Sequence, residues 1–274
     1  MRLAAGPLCA LMLALTPASA KTCDNRAVVS DFVERFYAKR DVAGAFAAHV
    51  APDYVQHNPG LPDGPKAAVE ALAPMFAAPG SRFELKHLLV DGNLALVHLY
   101  GRGKPGTPGG AVADLYRLKD GKVVEHWDVL QPIAPGSEPL AMAPVSADGD
   151  NSAHNRQAFL QFIDLLFRKG KTYEAYRRFV ARDLIQHNNR MGQGRDAALA
   201  AIRELRAAPG ASFDVQRVLV DGNLAAVHYR GKLSADDRGA AVVEIFRFQK
   251  GKIVEHWDIF QPLPESSRND HPMF

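Results

Sequence analysis

The amino-acid sequence predicts an α+β fold made of two tandem cone-shaped domains, each with three helices packed on a strongly curved antiparallel sheet. Two observations predict it. Short segments recur at a constant distance along the chain, and within each copy helical periodicity comes before strand periodicity. Helices followed by antiparallel strands are typical of α+β domains, in which the helices cover one face of the sheet. A strongly bent sheet wrapped on helices leaves room for an apolar cavity at its mouth.

The recurring segments indicate a tandem duplication. Leu89–His98 returns as Leu219–His228 with nine of ten residues identical, and Val123–Pro132 returns as Ile253–Pro262. The common offset of 130 residues, from 89 to 219, suits a whole small domain. The predicted organisation is a signal peptide at 1–20, a first domain at 21–132, a linker at 133–152, a second domain at 153–262 and a polar tail at 263–274.

The periodicity of each copy predicts its elements in order. Apolar residues at helical spacing, such as Val29, Phe32 and Phe36, predict amphipathic helices, and a period of two predicts the strands. In the first copy we expect helices at 26–38, 41–50 and 63–78, and strands at 82–90, 94–101, 112–119 and 122–130. In the second copy we expect helices near 154–168, 172–180 and 193–207, and strands near 212–220, 224–232, 240–249 and 252–260.

The first twenty residues predict export. Arg2 forms a short positive region, Leu8–Leu15 is an apolar run too short to span a bilayer, and Ala18-Ser19-Ala20 is a cleavage site of the A-x-A type. The sequence therefore predicts a periplasmic or secreted protein that has no membrane association after the signal is cleaved.

The composition excludes several classes of protein. The 33 basic residues are interspersed with 30 acidic ones, so no basic stripe for nucleic acid is present and no nucleic-acid partner is expected. The 14 phenylalanines supply the bulk for a core. Cys9 would leave with the signal peptide, so Cys23 has no intramolecular partner and the core alone must hold the fold.

The last two strands of a copy can be placed in register from their turn. With Asp120-Gly121 as a two-residue turn, Tyr116 lies opposite Glu125. Alternation then puts one set of residues on one face (Asp114, Tyr116, Glu125, Trp127) and another set on the opposite face (Arg117, Val124, His126, Asp128). Alternation does not decide which face lines the cavity, and a β-bulge would mix the two sets.

Histidines and acids retained in both copies are the candidates for chemistry. A carboxyl beside aromatic rings has a raised pKa, and a carboxylate beside an imidazole orients it as a base. The catalytic candidates are His57, Asp114, His126, Asp128, His187, Glu244, His256 and Asp258. The candidates for ligand contact are Gln56, Asn58, His98, Tyr116, Trp127, Gln186, Asn188, His228 and Trp257.

Among these candidates His57 is the preferred single catalytic residue, because imidazole titrates near neutral pH. Structural alternatives remain open. His126 and Asp128 could form an ion-pair cluster with Arg117, the Gln56–Asn58 triplet could cap a turn, and Trp127 could fill the core.

Motifs for cofactors are not found in the sequence. None of the histidines has the HExxH spacing of a zinc site, and neither a P-loop nor a GxSxG elbow occurs. We therefore expect no cofactor and no metal, and we disfavour nucleotide binding and serine hydrolysis.

The segments Tyr54–Pro59, Val90–Ala95 and Asp114–Asp128 resemble the SnoaL-like polyketide cyclase family, as do 185–187 and 244–258 in the second copy. The resemblance implies the cone fold of the nuclear transport factor and ketosteroid isomerase superfamily. It also implies cofactor-free aldol ring closure with an acidic residue as acid and base, and pairing of the two copies through their sheets. The pair would form an internal pseudo-dimer, and a further homo-oligomer stays open. Where the cyclases carry their acid, this chain has Gln131 and Gln261.

Two hypotheses for function follow. The first is a cofactor-free lyase or isomerase that moves a proton next to the carbonyl of a small compound. The alternative is a non-catalytic protein that binds a small molecule in the cavity. Both take a small apolar or carbonyl-containing ligand as the partner.

Overall fold

The computed structural model describes residues 24–107, 109–133, 152–188 and 190–274. The predicted signal peptide and all but the two ends of the predicted linker lie outside the described residues. Within the described ranges, no helix is long and apolar enough to cross a membrane.

The first half contains the three helices and four strands in the predicted order, and a further strand lies between the second and third helices. The side chains of Asp24 and Asp41 accept backbone N–H groups at the starts of the first two helices. The elements are α1 (Asn25–Val33, continued by a π-helical turn over Glu34–Ala38), α2 (Val42–His49), β1 (Val50–Gln56), α3 (Pro65–Ala77), β2 (Arg82–Asp91), β3 (Leu94–Arg102), β4 (Gly110–Lys119) and β5 (Lys122–Pro132).

The second half repeats these elements at nearly the same spacing. They are α4 (Ser152–Ile163, continued by a π-helical turn over Asp164–Arg168), α5 (Thr172–Phe179), β6 (Val180–Gln186), α6 (Arg195–Ala207), β7 (Ser212–Asp221), β8 (Leu224–Lys232), β9 (Ala240–Gln249) and β10 (Lys252–Pro262). The predicted α+β fold with two tandem copies is confirmed.

Each half has one five-stranded sheet, with the strand orders β1-β5-β4-β3-β2 and β6-β10-β9-β8-β7. Four strands of each sheet are antiparallel, as predicted. The fifth strand, β1 or β6, pairs in parallel with β5 or β10, so the expectation of a purely antiparallel sheet is corrected. The parallel strand brings the Gln56–Asn58 triplet beside His126, because Gln56 pairs with His126.

One face of each sheet packs against its own helices. In the first half the phenyl rings of Phe32, Phe36, Phe46 and Phe76 meet between the helices. Their centroids lie 4.6–6.0 Å apart along this chain of contacts, the separations at which aromatic pairs attract one another. The second half buries a corresponding cluster around Phe159 and Phe162.

The opposite faces of the two sheets pack against each other. Their buried side chains form one cluster that includes Leu96, Ala113, Leu115, Trp127 and Val129 from the first half and Ala226, Val243, Ile245, Trp257 and Ile259 from the second. Both tryptophan side chains are almost fully buried there. This packing is the internal pseudo-dimer that the resemblance implies; a further homo-oligomer stays a prediction.

Matched polar contacts at the interface obey the pseudo-twofold relation between the halves. Asp91 accepts the Val220 N–H at 2.9 Å and pairs with Arg156 at 2.5 Å. In the symmetric place, Asp221 accepts a backbone N–H of β2 and pairs with Arg26 at 2.6 Å. The aspartate of the Val-Asp-Gly-Asn turn, which recurs in both copies, thus joins the two halves.

Gln131 and Gln261, near the ends of β5 and β10, also join the halves. Gln131 Oε1 accepts the backbone N–H of Phe260 at 3.1 Å, and Gln261 Oε1 accepts that of Leu130 at 2.8 Å. An amide oxygen satisfies a backbone donor at the end of each sheet without bringing a charge into the interface.

The register of the β4–β5 hairpin differs from the prediction beyond its first pairs. Asp120 and Gly121 have φ values of 51° and 74°, which suits the two-residue turn, and Leu118 pairs with Val123 as expected. Val124 is then an extra residue, so Tyr116 pairs with His126 rather than with Glu125. This β-bulge moves the following residues of β5 by one position and exchanges their faces.

Buried neutral histidines lie between the halves. His87 Nδ1 and His98 Nδ1 are 3.0 Å apart, and the His87 ring meets the Trp257 ring edge-on at 4.5 Å. Burial lowers the pKa of His87 to about 4 and that of His98 well below its usual value. The interface therefore needs these rings uncharged.

We expect the stability advantage of the wild-type chain over His87→Gln to shrink by about 2 kcal/mol between pH 7.5 and pH 5. Below the unfolded pKa of about 6.5, the unfolded chain binds a proton that the folded His87 refuses, so the free energy of unfolding falls. Urea unfolding at the two pH values measures the difference. The exposed His154→Gln is the control, and an equal pH dependence in all three proteins would contradict the prediction.

Candidate functional site

A cavity of about 440 Å³ opens into the first half between the helices and the sheet. Most of its wall is apolar and aromatic, with Phe32, Phe36, Leu72 and Phe83 among the lining residues. Five polar side chains are grouped at the sheet side of this wall: Gln56, Asn58, Asp114, His126 and Asp128. An apolar pocket with a few convergent polar groups is typical of a small-molecule site.

The bulge in β5 brings these polar groups together. Because Val124 is the extra residue, Asp114 on β4 pairs with Asp128 on β5, and the side chains of both point to the cavity side. His126 Nε2 lies 3.0 Å from Asp114 Oδ1. The predicted grouping of His126 with Asp128 on one face is confirmed, whereas the assignment of Asp114 to the other face is wrong.

The second oxygen of Asp114 is held by tyrosines. The Tyr37 hydroxyl donates to Asp114 Oδ2 at 2.6 Å, and the Tyr116 hydroxyl lies 2.6 Å from that of Tyr37. Since the Tyr37 proton goes to the carboxylate, Tyr116 donates to Tyr37. Burial raises the pKa values of Tyr37 and Tyr116 well above the ordinary value of a phenol, so both hydroxyls keep their protons and act as donors.

Gln56 connects β1 to the histidine. Its Oε1 accepts the backbone N–H of Asn58 at 2.8 Å and lies 2.9 Å from His126 Nδ1. The amide oxygen therefore faces the imidazole, and His126 Nδ1 carries a proton. Burial by itself lowers the pKa of His126, but the hydrogen bond to Asp114 and the charges of Asp128 and Asp114 outweigh it, and this pKa is raised. The amide oxygen and the carboxylate on either side of His126 therefore favour its protonated form.

Asp128 is the least satisfied group in the cavity. Asn58 Nδ2 donates to Asp128 Oδ2 at 2.5 Å, while Oδ1 is buried with no hydrogen-bond partner among the described residues. Burial raises the pKa of Asp128 to about 7, with a contribution from the nearby Asp114 charge that the charge of His126 opposes. Near neutral pH this carboxyl exists in both protonation states, which suits an acid and base.

The second half keeps the pattern with a longer distance between the histidine and the carboxylate. His256 Nε2 is 3.8 Å from Glu244 Oε2, and this nitrogen has no hydrogen-bond partner among the described residues. Burial lowers the pKa of His256 and raises the pKa of Glu244, so both groups tend toward their neutral forms. Asn188 holds Asp258 at 2.6 Å, and burial raises the pKa of Asp258 to about 6.

The halves also differ at two positions that line the cavity in the first half. Arg206 occupies the position of Phe76 in the first half and places its guanidinium 4.5 Å from the ring centroid of Phe213. Tyr229, in place of Leu99, donates to Glu244 at 2.7 Å. The two halves therefore share a framework but differ in the chemistry of their sites.

Several predicted site residues lie on the other side of the sheets. His57 stacks on Trp127 at 4.8 Å and reaches Glu125 at 2.9 Å, and His187 does the same on Trp257 with Glu255. The cavity lining includes none of these residues. His57 directly follows β1, and its side chain points away from those of its neighbours Gln56 and Asn58, as alternation requires.

His98 and His228 are likewise placed at the interface. His98 contacts His87, and His228 Nδ1 lies 3.1 Å from Arg217 Nη1. Burial lowers the pKa of His228 to about 3. The guanidinium of Arg217 lies 3.4 Å from the centroid of the Trp127 ring. Trp127 therefore packs in the interface and does not line the cavity.

Two tyrosines of the site were not among the sequence candidates. Tyr37 orients Asp114, and Tyr54 accepts a hydrogen bond from Gln56 at 2.9 Å beside the cavity. The second copy has Phe167 and Leu184 at their positions, so a search for residues retained in both copies passes over them.

The donor set would also suit a divalent cation. Ligand atoms of Asp114, His126 and Asp128 all lie within 4.8 Å of one another, and all three side chains are buried. Imidazole and carboxylate are ligands that zinc and similar ions accept. A cation would require neutral His126, whereas the present hydrogen bonds favour its protonated form.

Comparison with known families agrees with this architecture. The SnoaL-like domain family matches residues 29–126 and 158–256, which together make up more than half of the chain. The chain therefore belongs to the SnoaL-like domain family, with two tandem copies. No curated protein matches this chain.

Solved structures resemble single halves. An NTF2-like protein of unknown function from Mesorhizobium loti is 24% identical and covers 41% of this chain and 95% of its own, with a TM-score of 0.37. An NTF2-like protein of unknown function from Burkholderia xenovorans is 24% identical and covers 43% of this chain and 91% of its own, with a TM-score of 0.36. A protein described as a SnoaL-like polyketide cyclase from Jannaschia is 18% identical and covers 44% of this chain and 90% of its own, with a TM-score of 0.34.

We expect the Asp128 carboxyl to titrate near pH 7 and to shift upward in Asn58→Ala. The Asn58 donor stabilises the charged form, so its loss favours the proton. Carbon-detected NMR of labelled aspartate measures both values. Asn188→Ala is the matched control, since it changes Asp258 and leaves Asp128 as it was; an Asp128 pKa near 4 in the wild type would contradict the prediction.

Proposed function

We propose that the first-half cavity carries out cofactor-free proton transfer on a small, largely apolar carbonyl compound. The observation that supports it most is Asp128, a buried carboxyl with one free oxygen and a pKa of about 7 at the wall of an apolar cavity. Family membership supports the cone fold but does not by itself assign a reaction.

In the proposed reaction Asp128 acts first as a base. Its carboxylate takes a proton from the carbon next to the carbonyl, the C–H electron pair forms a C=C bond, and the carbonyl π pair moves to oxygen. Asp128 then holds the proton and returns it to the same or a neighbouring carbon. No net oxidation occurs, so no redox cofactor is needed.

The polar cluster supplies the donor that an enolate requires. The Tyr54 hydroxyl accepts from Gln56 and so keeps its own proton for the ligand oxygen. His126 and Asp114 form a fixed charge pair next to it, held by Gln56 and Tyr37. Donors that are already oriented stabilise developing negative charge without reorganisation.

We expect Asp128→Asn to slow the exchange of α-hydrogens for deuterium in small cyclic and aryl ketones by about 10²–10⁴-fold. Proton NMR in D₂O measures this exchange without knowledge of the natural substrate, and shifts of the cavity resonances measure binding separately. In the wild type the rate should rise with pH through about 7, because the base must be unprotonated.

Asp258→Asn is the matched control, because in its site His256 and Glu244 are 3.8 Å apart and tend toward their neutral forms. Ketones that bind in the cavity but exchange no faster than in buffer would support the alternative, binding without turnover. Elemental analysis of the purified protein decides the metal question: stoichiometric zinc that is lost in Asp128→Asn would replace the proton-transfer proposal with a metal site.

We also propose export to the periplasm or medium, on the pattern of residues 1–20. In a bacterial host, the exported protein should begin at Lys21, and mass spectrometry of the intact chain checks this. A chain found only in the cytoplasm with residues 1–20 still attached would contradict it.

A further inference from the structure

The segment after β10, Leu263–Phe274, crosses from the second half to the first. Sequence analysis predicts only a polar tail there, yet Met273 is buried in the shared core and Phe274 stacks on His228 with centroids 5.7 Å apart. The segment is thus anchored at its far end in the interface between the halves.

Between these anchors the segment binds the loop that follows β1. Asn269 Nδ2 donates to the backbone oxygens of Asn58 at 2.7 Å and of Leu61 at 2.8 Å. The backbone N–H of Arg268 donates to the Pro59 oxygen at 2.8 Å. Three hydrogen bonds from two residues of the segment therefore hold the backbone of this loop.

Two further contacts extend the clamp to either side of the loop. His271 Nε2 lies 3.1 Å from Asp63 Oδ2, and the Pro272 oxygen lies 2.5 Å from His57 Nδ1. Asp63 Oδ1 in turn accepts the backbone N–H of Gln56 at 2.9 Å. Both residues that orient the charged groups of the cavity, Gln56 and Asn58, are therefore held from the outside.

The corresponding loop of the second half is held differently. Gln193, at the position of Asp63, binds both the N–H and the oxygen of Gln186, at 2.9 and 2.7 Å. A single glutamine thus closes that loop on its own strand. In the first half Asp63 takes this position, with Oδ1 bonded to the Gln56 N–H and Oδ2 facing His271.

We propose that Leu263–Phe274 is a positioning segment for the first-half site, which holds Asn58 against Asp128 through Asn269 and His271. The second half supplies this segment, so the first site is complete only when both halves are present. The proposal is independent of the chemistry proposed for the cavity, and its test needs no ligand.

The test compares Asn269→Ala, the double variant Asn269→Ala/His271→Ala and the control Asp270→Ala. Asp270 is an exposed neighbour of both residues in the same segment. We expect the Leu61 amide proton, which bonds to the Asn58 oxygen, to exchange about tenfold faster in Asn269→Ala and faster still in the double variant. The matched amide of Met191, bonded to the Asn188 oxygen, serves as the internal reference for folding.

The second readout is the pKa of Asp128, which a merely structural tail would not change. When Asn58 loosens, the carboxylate loses its donor, so the pKa of Asp128 should rise in both variants while that of Asp258 stays constant. Unchanged Leu61 exchange or an unchanged Asp128 pKa in a folded double variant would overturn the proposal. A rise in the pKa of Asp128 without faster exchange would also overturn it, because the clamp would then not act through the loop.

Discussion

One extra residue in β5 determines which of its polar side chains face the cavity of the first half. The bulge at Val124 reverses the faces of β5, so that His126 and Asp128 share the cavity with Asp114 while Trp127 and Val129 enter the interface. Without the extra residue, Trp127 would point toward the cavity and Asp128 toward the packed sheets, where a carboxylate would be costly. The second half carries the same bulge at Val254, which explains why both copies form the same interface.

The electrostatic character of the first site depends on how completely it is enclosed. Asp114, His126 and Asp128 lie within a few ångströms of one another in an apolar cavity, so the protonation of each depends on that of the others. The tyrosines supply neutral donors that stabilise Asp114 without adding charge. In the second half Phe167 and Phe246 stand in place of Tyr37 and Tyr116, and the distance between the histidine and the carboxylate lengthens to 3.8 Å, so a similar backbone supports a less polar cluster.

Sequence reasoning found the duplication, the element order and the turn at Asp120-Gly121, because each has a local signature. It placed His126 and Asp128 together but assigned Asp114 to the other face, because a bulge leaves no mark in hydrophobic alternation when both faces are covered. His57 and His98 were expected near the ligand, yet polar residues retained in both copies also serve an internal interface. Tyr37 and Tyr54 were missed since they act in one copy only, and the clamp of Asn269 depends on contacts more than 200 residues apart in sequence.

The crossing segment has a consequence for the order in which the molecule matures. Residues 263–274 are translated after both halves, so the loop after β1 gains its contacts with Asn269 only once this segment has left the ribosome. A nascent chain interrupted after residue 262 would hold every helix and strand that the structure describes, yet the loop in its older half would lack these contacts. The half that is made first would therefore be completed last.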